Sequence, residues 1–238
     1  MQHPNIKSRS SVKRKYTKTM IVSDIHLGSR VSRTSELLKL LKSYSFKKLI
    51  LLGDIFEHLN FNNLTNEHWE LLSYFKKISK DVEIIWIEGN HDVGLSKVMS
   101  NLVGLEVFKT YTWRYKGKKC LAIHGHQFDR FLSNNIILSY LATIFYAFIQ
   151  KIDTDNQRMA RFVKRKSKGW LRLSRKVANS AVLYGKLRGA KYVFCGHTHQ
   201  SAHLKKRKVE YYNSGCWTDI PSSYITMDKK GIKIHEVF

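Results

Sequence analysis

Five short segments place aspartate, asparagine or histidine directly after an apolar run: Asp24-Ile25-His26, Gly53-Asp54, Gly89-Asn90-His91-Asp92, His124-Gly125-His126 and Gly196-His197-Thr198-His199. Carboxylate, amide oxygen and imidazole together, with no thiolate among them, suit borderline divalent ions such as Mn, Fe or Zn. Asp24, His26, Asp54, Asn90, His124, His197 and His199 make seven donors, too many for one tetrahedral ion. Two ions sharing a carboxylate would use them all, and Asp54, standing alone on the central strand, is the natural bridge. Two such ions, roughly 3.5–4 Å apart, lower the pKa of a bridging water and clamp a phosphoryl oxygen during in-line attack. Each motif by itself is weak: an Asp after a strand caps helices, and Gly-His-Thr-His forms an ordinary turn. Their joint occurrence, in this order and all at strand ends, points to a paired metal centre.

The elements that must position these residues follow from hydrophobic patterning. Met20 to Asp24, Lys48 to Gly53 and Val82 to Glu88 are expected to be buried strands, with helices over Thr34 to Tyr44 and Asn66 to Ser79 between them. Lys119 to His124 and Tyr192 to Gly196 are further buried strands, and Val209 to Asn213, Ser223 to Asp228 and Ile232 to Val237 are short ones near the C-terminus. Alternation of strand, polar loop and helix implies an α/β fold whose strands are buried on both faces. In such sheets ligands gather beyond the carboxyl ends of the strands.

With 238 residues and 43% hydrophobic content, the chain can form one ordinary domain and is too apolar to be disordered. Lys and Arg number 42 against 18 Asp and Glu, a net charge of +24, which calls for an anionic partner: nucleic acid, phospholipid head groups or a phosphorylated metabolite. The scattered cysteines Cys120, Cys195 and Cys216 fit a reducing compartment rather than a disulfide scaffold, and Cys120 and Cys195 read as core residues. Residues 1–18, basic and without an acid or an apolar h-region, read as a flexible tail and not a signal peptide. The longest apolar run, Ile136 to Ile149, has 14 residues, short of the roughly 20 that span a bilayer.

Residues 19–238 are expected to form the domain, with a basic helical insertion over about 128–188. The apolar part of that insertion reads either as a helix buried within a cap or as a surface for acyl chains or a bilayer. The basic part repeats Arg158, Arg161, Lys164, Arg165, Lys168, Arg172, Arg175 and Lys176 at three- and four-residue spacing. It reads either as a solvated face or as a rim that binds phosphate or anionic lipid. His126 is open among a substrate contact, a more remote polar group and a simple turn residue.

The series Asp24-x-His26, Gly53-Asp54, Gly89-Asn90-His91-Asp92, His124-Gly125 and Gly196-His197-Thr198-His199 resembles the calcineurin-like metallophosphoesterase superfamily over about Met20 to Phe238. That resemblance implies a four-layer α/β/β/α sandwich, a helical cap and a dinuclear centre. One ion would be held by Asp24, His26, Asp54 and His199, the other by Asp54, Asn90, His124 and His197. His91 would face the phosphate and assist the leaving group, with Glu57 orienting it. Ser23-Asp24-Ile25-His26-Leu27-Gly28, Gly53-Asp54-Ile55-Phe56-Glu57, His124-Gly125-x-x-Phe128-Asp129 and Asn213-Ser214-Gly215-Cys216-Trp217 are similar to the UDP-2,3-diacylglucosamine pyrophosphatase-like group. This group implies cleavage of a nucleotide-diphosphate lipid to UMP and an acyl-sugar phosphate in lipid A biosynthesis. It also implies Mn as the usual metal and peripheral attachment to the inner face of the cytoplasmic membrane. Two positions depart from its pattern, both bearing on substrate rather than metal: His126 stands where the group has Asp, and His91 where it has Arg. A nuclease, or a phosphodiesterase or phosphatase acting on another anionic substrate, is the alternative enzyme. A non-catalytic protein-binding scaffold of the same fold has no need of all seven donors.

Overall fold

The computed structural model describes residues 14–58, 60–94, 98, 104–129 and 168–238. A six-stranded sheet has the order β11-β10-β1-β2-β3-β4, and a five-stranded sheet the order β5-β6-β7-β9-β8. In the first sheet, β1 (Lys15–Val22), β2 (Tyr44–Leu52), β3 (Glu83–Ile87) and β4 (Val107–Phe108) run parallel, with β10 (Ser222–Asp228) and β11 (Gly231–Val237) antiparallel at one edge. In the second, β6 (Lys118–Ala122), β7 (Tyr192–Cys195) and β9 (Val209–Asn213) run parallel between the antiparallel edge strands β5 (Tyr111–Tyr115) and β8 (Ala202–Lys206).

The period-two alternation of each strand sorts its side chains into layers. Met20, Val22, Leu49, Leu51 and Trp86 pack outward against Leu37, Leu38 and Leu41 of α1 (Thr34–Ser43) and Leu71, Leu72 and Phe75 of α2 (Asn66–Ile78). Their neighbours Ile21, Ile50, Leu52, Ile85 and Ile87 face inward and meet Cys120, Ala122, Phe194 and Tyr212 of the second sheet. Leu121, Ile123, Val193 and Tyr211 face the other way, onto Ala178, Ala181 and Val182 of α3 (Lys168–Leu187). The result is helix, sheet, sheet, helix, the expected four-layer sandwich.

Two boundaries differ from expectation, and the strands β5 and β8 were not expected at all. Order reaches back to β1 at Lys15, inside the predicted tail, because Lys15 to Thr17 pair with Tyr44 to Phe46 of β2. The predicted insertion does not run to residue 188: α3 covers the second sheet, burying Leu173, Val177, Ala178, Ala181 and Val182 at helical spacing while its cations lie on the opposite face. The remainder of that insertion, with its apolar run, lies outside the described residues. The edge strands β5 and β8 carry exposed polar residues at many positions, a pattern without an apolar run to announce them. All three cysteines are buried and free, as core residues.

Candidate metal centre

The parallel strands β1, β2 and β3 of one sheet and β6, β7 and β9 of the other end on the same side of the sandwich. The loops that leave those ends are joined by main-chain hydrogen bonds: Asp24 N–H donates to Gly53 O at 3.0 Å, and His26 N–H to Asp54 O at 3.1 Å. The two sheets are tied by the Asp24 carboxylate, which accepts the His197 N–H at 3.1 Å. Glycine is required where the loops touch. A Cβ at Gly89 would overlap the main-chain nitrogen and Oδ1 of Asp54, and one at Gly196 would overlap Asp24 Oδ2 and Ser23.

Backbone strain is concentrated here. Asp24, His26, Asp54, His197 and His199 all have left-handed backbones, with φ between 51° and 67°. A non-glycine residue in that region costs on the order of 1–3 kcal/mol, and the conformation persists only where the surroundings impose it. The other positive-φ non-glycine residues, Lys116, Arg207 and Lys208, lie in hairpin turns.

Two of the donor clusters each combine both sheets: Asp24 with His26 and His199, and Asp54 with His124 and His197. In the first, His199 Nε2 lies 3.2 Å from both Asp24 Oδ1 and His26 Nε2. In the second, His124 Nε2 is 3.1 Å from Asp54 Oδ2, while Asp54 Oδ1 accepts the His91 N–H at 2.9 Å. Three of the four rings have a partner at Nδ1. His124 Nδ1 lies 2.8 Å from Leu52 O, a carbonyl that can only accept, so Nδ1 carries the proton and Nε2 offers its lone pair to the site. His26 Nδ1 donates to Glu57 Oε2 at 2.6 Å, and His199 Nδ1 lies 3.4 Å from Thr218 Oγ1. His197 Nε2 is 3.5 Å from Asp129 Oδ2. Partners of this kind behind ligand histidines fix the tautomer and orient the ring.

The expected role of Glu57 shifts. Its carboxylate lies on His26, and it is its main-chain oxygen that accepts from His91 Nδ1, at 2.7 Å. The reason is local: the chain after Asp54 continues alongside the loop after β1 through Leu27 N–H to Ile55 O and Glu57 N–H to Leu27 O, which lays the Glu57 side chain against His26. His91 stands edge-on to His26 with ring centroids 5.0 Å apart, and Asn90 is exposed at the same turn. His126 is half-buried, with its ring 5.5 Å from His124 and 6.3 Å from His197. Of the predicted substrate-binding cations, Arg172 is exposed on α3. Arg158, Arg161, Lys164 and Arg165 lie outside the described residues, as does the side chain of Lys168.

Several contributors escaped sequence reasoning. The buried Asp92 carboxylate accepts from the N–H groups of Ile55 and Phe56 at 3.1 Å and of Gly89 at 3.3 Å, clamping the loops after β2 and β3 together. Asn213, at the end of β9, donates to Gly196 O at 2.7 Å and Thr198 Oγ1 at 3.1 Å, which shapes the Gly-His-Thr-His turn. Trp170 donates to Thr198 O at 3.0 Å from the first turn of α3. Asp129 closes the His-Gly-x-x-Phe-Asp motif, and the short 3-10 turn His126–Phe128 returns it to His197.

The electrostatics are those of a cation site. Burial alone pushes the Asp24 and Asp54 carboxyls up, yet His199 beside Asp24 and His124 beside Asp54 bring both below the usual carboxylate range. Burial opposes protonation of His124, but Asp54 outweighs it and raises that ring to about 10. Burial, reinforced by His124 and His197, lowers His126 to about 4. Lone pairs converging from two carboxylates and four imidazoles on a strained backbone fit borderline divalent ions.

Residues 17–201 match the calcineurin-like phosphoesterase family, and the chain belongs to it. Together with the two clusters, this supports a dinuclear-metal-dependent phosphoesterase. Among solved structures it is similar to YfcE, a phosphoesterase from E. coli, at 17% identity and TM-score 0.52, covering 92% of this chain and 97% of that one. It is also similar to an archaeal phosphodiesterase, at 12% identity and TM-score 0.51, covering 92% and 99%. Vps29 of Chaetomium thermophilum, at 9% identity and TM-score 0.50, covers 92% and 96%. At these identities the likeness is one of fold. No curated protein matches the chain.

Proposed function

We propose that this calcineurin-like phosphoesterase hydrolyses the diphosphate of a nucleotide-linked lipid similar to UDP-2,3-diacylglucosamine, releasing UMP and an acyl-sugar phosphate. The observation that carries the hydrolase reading is the pair of clusters Asp24–His26–His199 and Asp54–His124–His197 at the ends of parallel strands from both sheets. The lipid substrate rests on the motif resemblance alone.

Asp24, His26, Asp54 and His199 would hold one ion, and Asp54, Asn90, His124 and His197 the other, with Mn the expected metal and Fe or Zn its competitors. When bound, such a pair lowers the pKa of water and neutralises charge on the phosphoryl oxygens. The chain's own residues supply the rest. Leu52 O and the Glu57 carboxylate orient His124 and His26, and Asp129 lies beside His197. His91, its Nδ1–H held by Glu57 O, would give a proton from Nε2 to the leaving oxygen when doubly protonated. Arg172 and the neighbouring cations of the basic segment, together with His126, would bind the diphosphate. A basic rim of this kind would also favour the inner face of the cytoplasmic membrane; among the described residues no helix is long and apolar enough to cross one.

A Mn-supplemented panel tests the substrate: UDP-diacylglucosamine, dinucleotide polyphosphates, cyclic nucleotides and a chromogenic phosphodiester. Release of UMP from the first, well above turnover of the others, is expected. Turnover of the generic ester without UMP release would remove the lipid reading and leave the hydrolase. The net charge of +24 favours a second reading, a nuclease, whose binding would weaken linearly in log–log with salt.

A further inference from the structure

Cys120 and Cys195 pack within apolar clusters. Cys216, 2% exposed, stands in the loop between β9 and β10. One donor atom each from His199, Cys216 and Asp219 lies within 4.8 Å of the others. Of the three, only His199 belongs to the paired centre.

The loop from Ser214 to Asp219 is tied to the metal loops along its main chain. Trp217 N–H donates to Asp24 O at 3.0 Å, and Arg33 N–H to Trp217 O at 2.8 Å. Ser23 Oγ donates to Gly215 O and Ser222 Oγ to Asp219 O, both at 2.9 Å. The backbone that carries the thiol and the second carboxylate is thereby anchored to the loop that carries Asp24 and His26. The His199 ring stands between the two sets of donors. Its Nε2 lies 3.2 Å from Asp24 Oδ1, and its Nδ1 lies 3.4 Å from Oγ1 of Thr218, which sits between Cys216 and Asp219 in the chain. Apolar packing explains a buried thiol. It does not explain why an imidazole and a carboxylate that is itself 7% exposed converge on that thiol.

We propose that His199, Cys216 and Asp219 form a further metal site, selective for a thiophilic divalent ion such as Cd or Zn, and that filling it takes His199 from the paired centre. Sulfur, nitrogen and oxygen from three side chains, with a water as the fourth ligand, make a tetrahedral set. Thiolate favours such ions over Mn, which prefers oxygen donors. On binding, the S–H bond of Cys216 breaks, sulfur keeps the electron pair for the metal–sulfur bond, and the proton passes to solvent. A neutral imidazole has one lone pair. A His199 ring that serves this ion, through either nitrogen, therefore has none left for an ion beside Asp24. A softer metal would thus displace Mn from one half of the centre. The site stands apart from the hydrolase reading, and only the competition for His199 rests on the paired-metal part of it.

The full chain, equilibrated with Mn, is titrated with Cd. The ultraviolet charge-transfer band of a cadmium–thiolate bond reports the site, and elemental analysis of released Mn reports the competition. In the native chain the band is expected to rise to saturation, with Mn leaving in step. C216S, which keeps the other two cysteines, should lack the band and retain Mn at Cd concentrations that strip the native chain. D219N should need at least ~10-fold more Cd to reach the same band, the loss that even a supporting carboxylate brings. Circular dichroism confirms that both variants fold. No band in the native chain, a band kept by C216S, or undiminished Cd affinity in D219N would each overturn the site. Mn release at the same Cd concentration in native and C216S chains would overturn the competition for His199. A native chain that holds no Mn would sink the paired centre, and the band would still decide the site.

Discussion

In the Asp54–His124–His197 cluster the deepest ring, His124, is turned by a main-chain oxygen of β2, and Asp54 is held by the His91 N–H. In the Asp24–His26–His199 cluster the partners behind the rings are side chains, Glu57 and Thr218, and the Glu57 side chain is 28% exposed. The His124 ring is therefore set by the sheet itself, and the His26 and His199 rings by groups that can be replaced without disturbing a strand. Substitutions behind His26 and His199 should consequently adjust the centre, whereas loss of His124 or Asp54 should make it fail outright.

The largest effect is expected from D54A or H124A, which remove the carboxylate proposed to be shared and the deepest ring. Hydrolysis of a chromogenic phosphodiester should fall by ~10³-fold or more, about 4 kcal/mol of barrier, with the circular dichroism spectrum unchanged. G89A should come next. Its methyl would displace Asp54, so metal binding measured by calorimetry should collapse although no ligand is altered. E57Q and D129N remove only carboxylates beside His26 and His197, and each should weaken metal affinity by roughly 10–100-fold. If E57Q leaves affinity intact while H124A destroys it, the two halves differ more than the geometry implies; equal losses would erase the contrast. T218V should have the smallest effect, since its hydroxyl stands 3.4 Å from His199.

The pH dependence follows from the proton that holds the metal-free site. His124, ordinarily near 6.5, is raised to about 10 by Asp54 against its burial. Its ion pair with Asp54 therefore contributes stability that is fully present below about 6.5 and is lost as pH rises through about 10. A metal ion must displace that proton. Affinity should accordingly climb across this window, with proton release on binding at neutral pH, detectable as a buffer-dependent calorimetric enthalpy. A release that does not change between pH 7 and pH 10 would contradict the assignment.

The strands that deliver ligands were legible because each couples a doubly buried apolar run to a polar turn. Val22 with Asp24, Leu52 with Asp54 and Cys195 with His197 are local signals. The edge strand β8 was not, since Lys205 and Lys206 obey the needs of an exposed edge rather than of a core. The basic residues of α3 hid its buried stripe of Val177, Ala181 and Val182, so the helix read as part of a cap. Glu57 was visible as a nearby acid, but whether its side chain or its main chain meets His91 is decided by how two loops run beside each other. Asp92 and Asp129 were present within recognised motifs, yet their burial and their partners depend on contacts that no spacing along the chain displays.

Metal stoichiometry of the native chain and of D54N, by elemental analysis after equilibration with excess Mn, tests the central claim most directly. The arrangement of the two clusters calls for two ions per chain in the native protein and fewer than one in D54N. A native chain that holds no ion, or a D54N chain that keeps both, would contradict it.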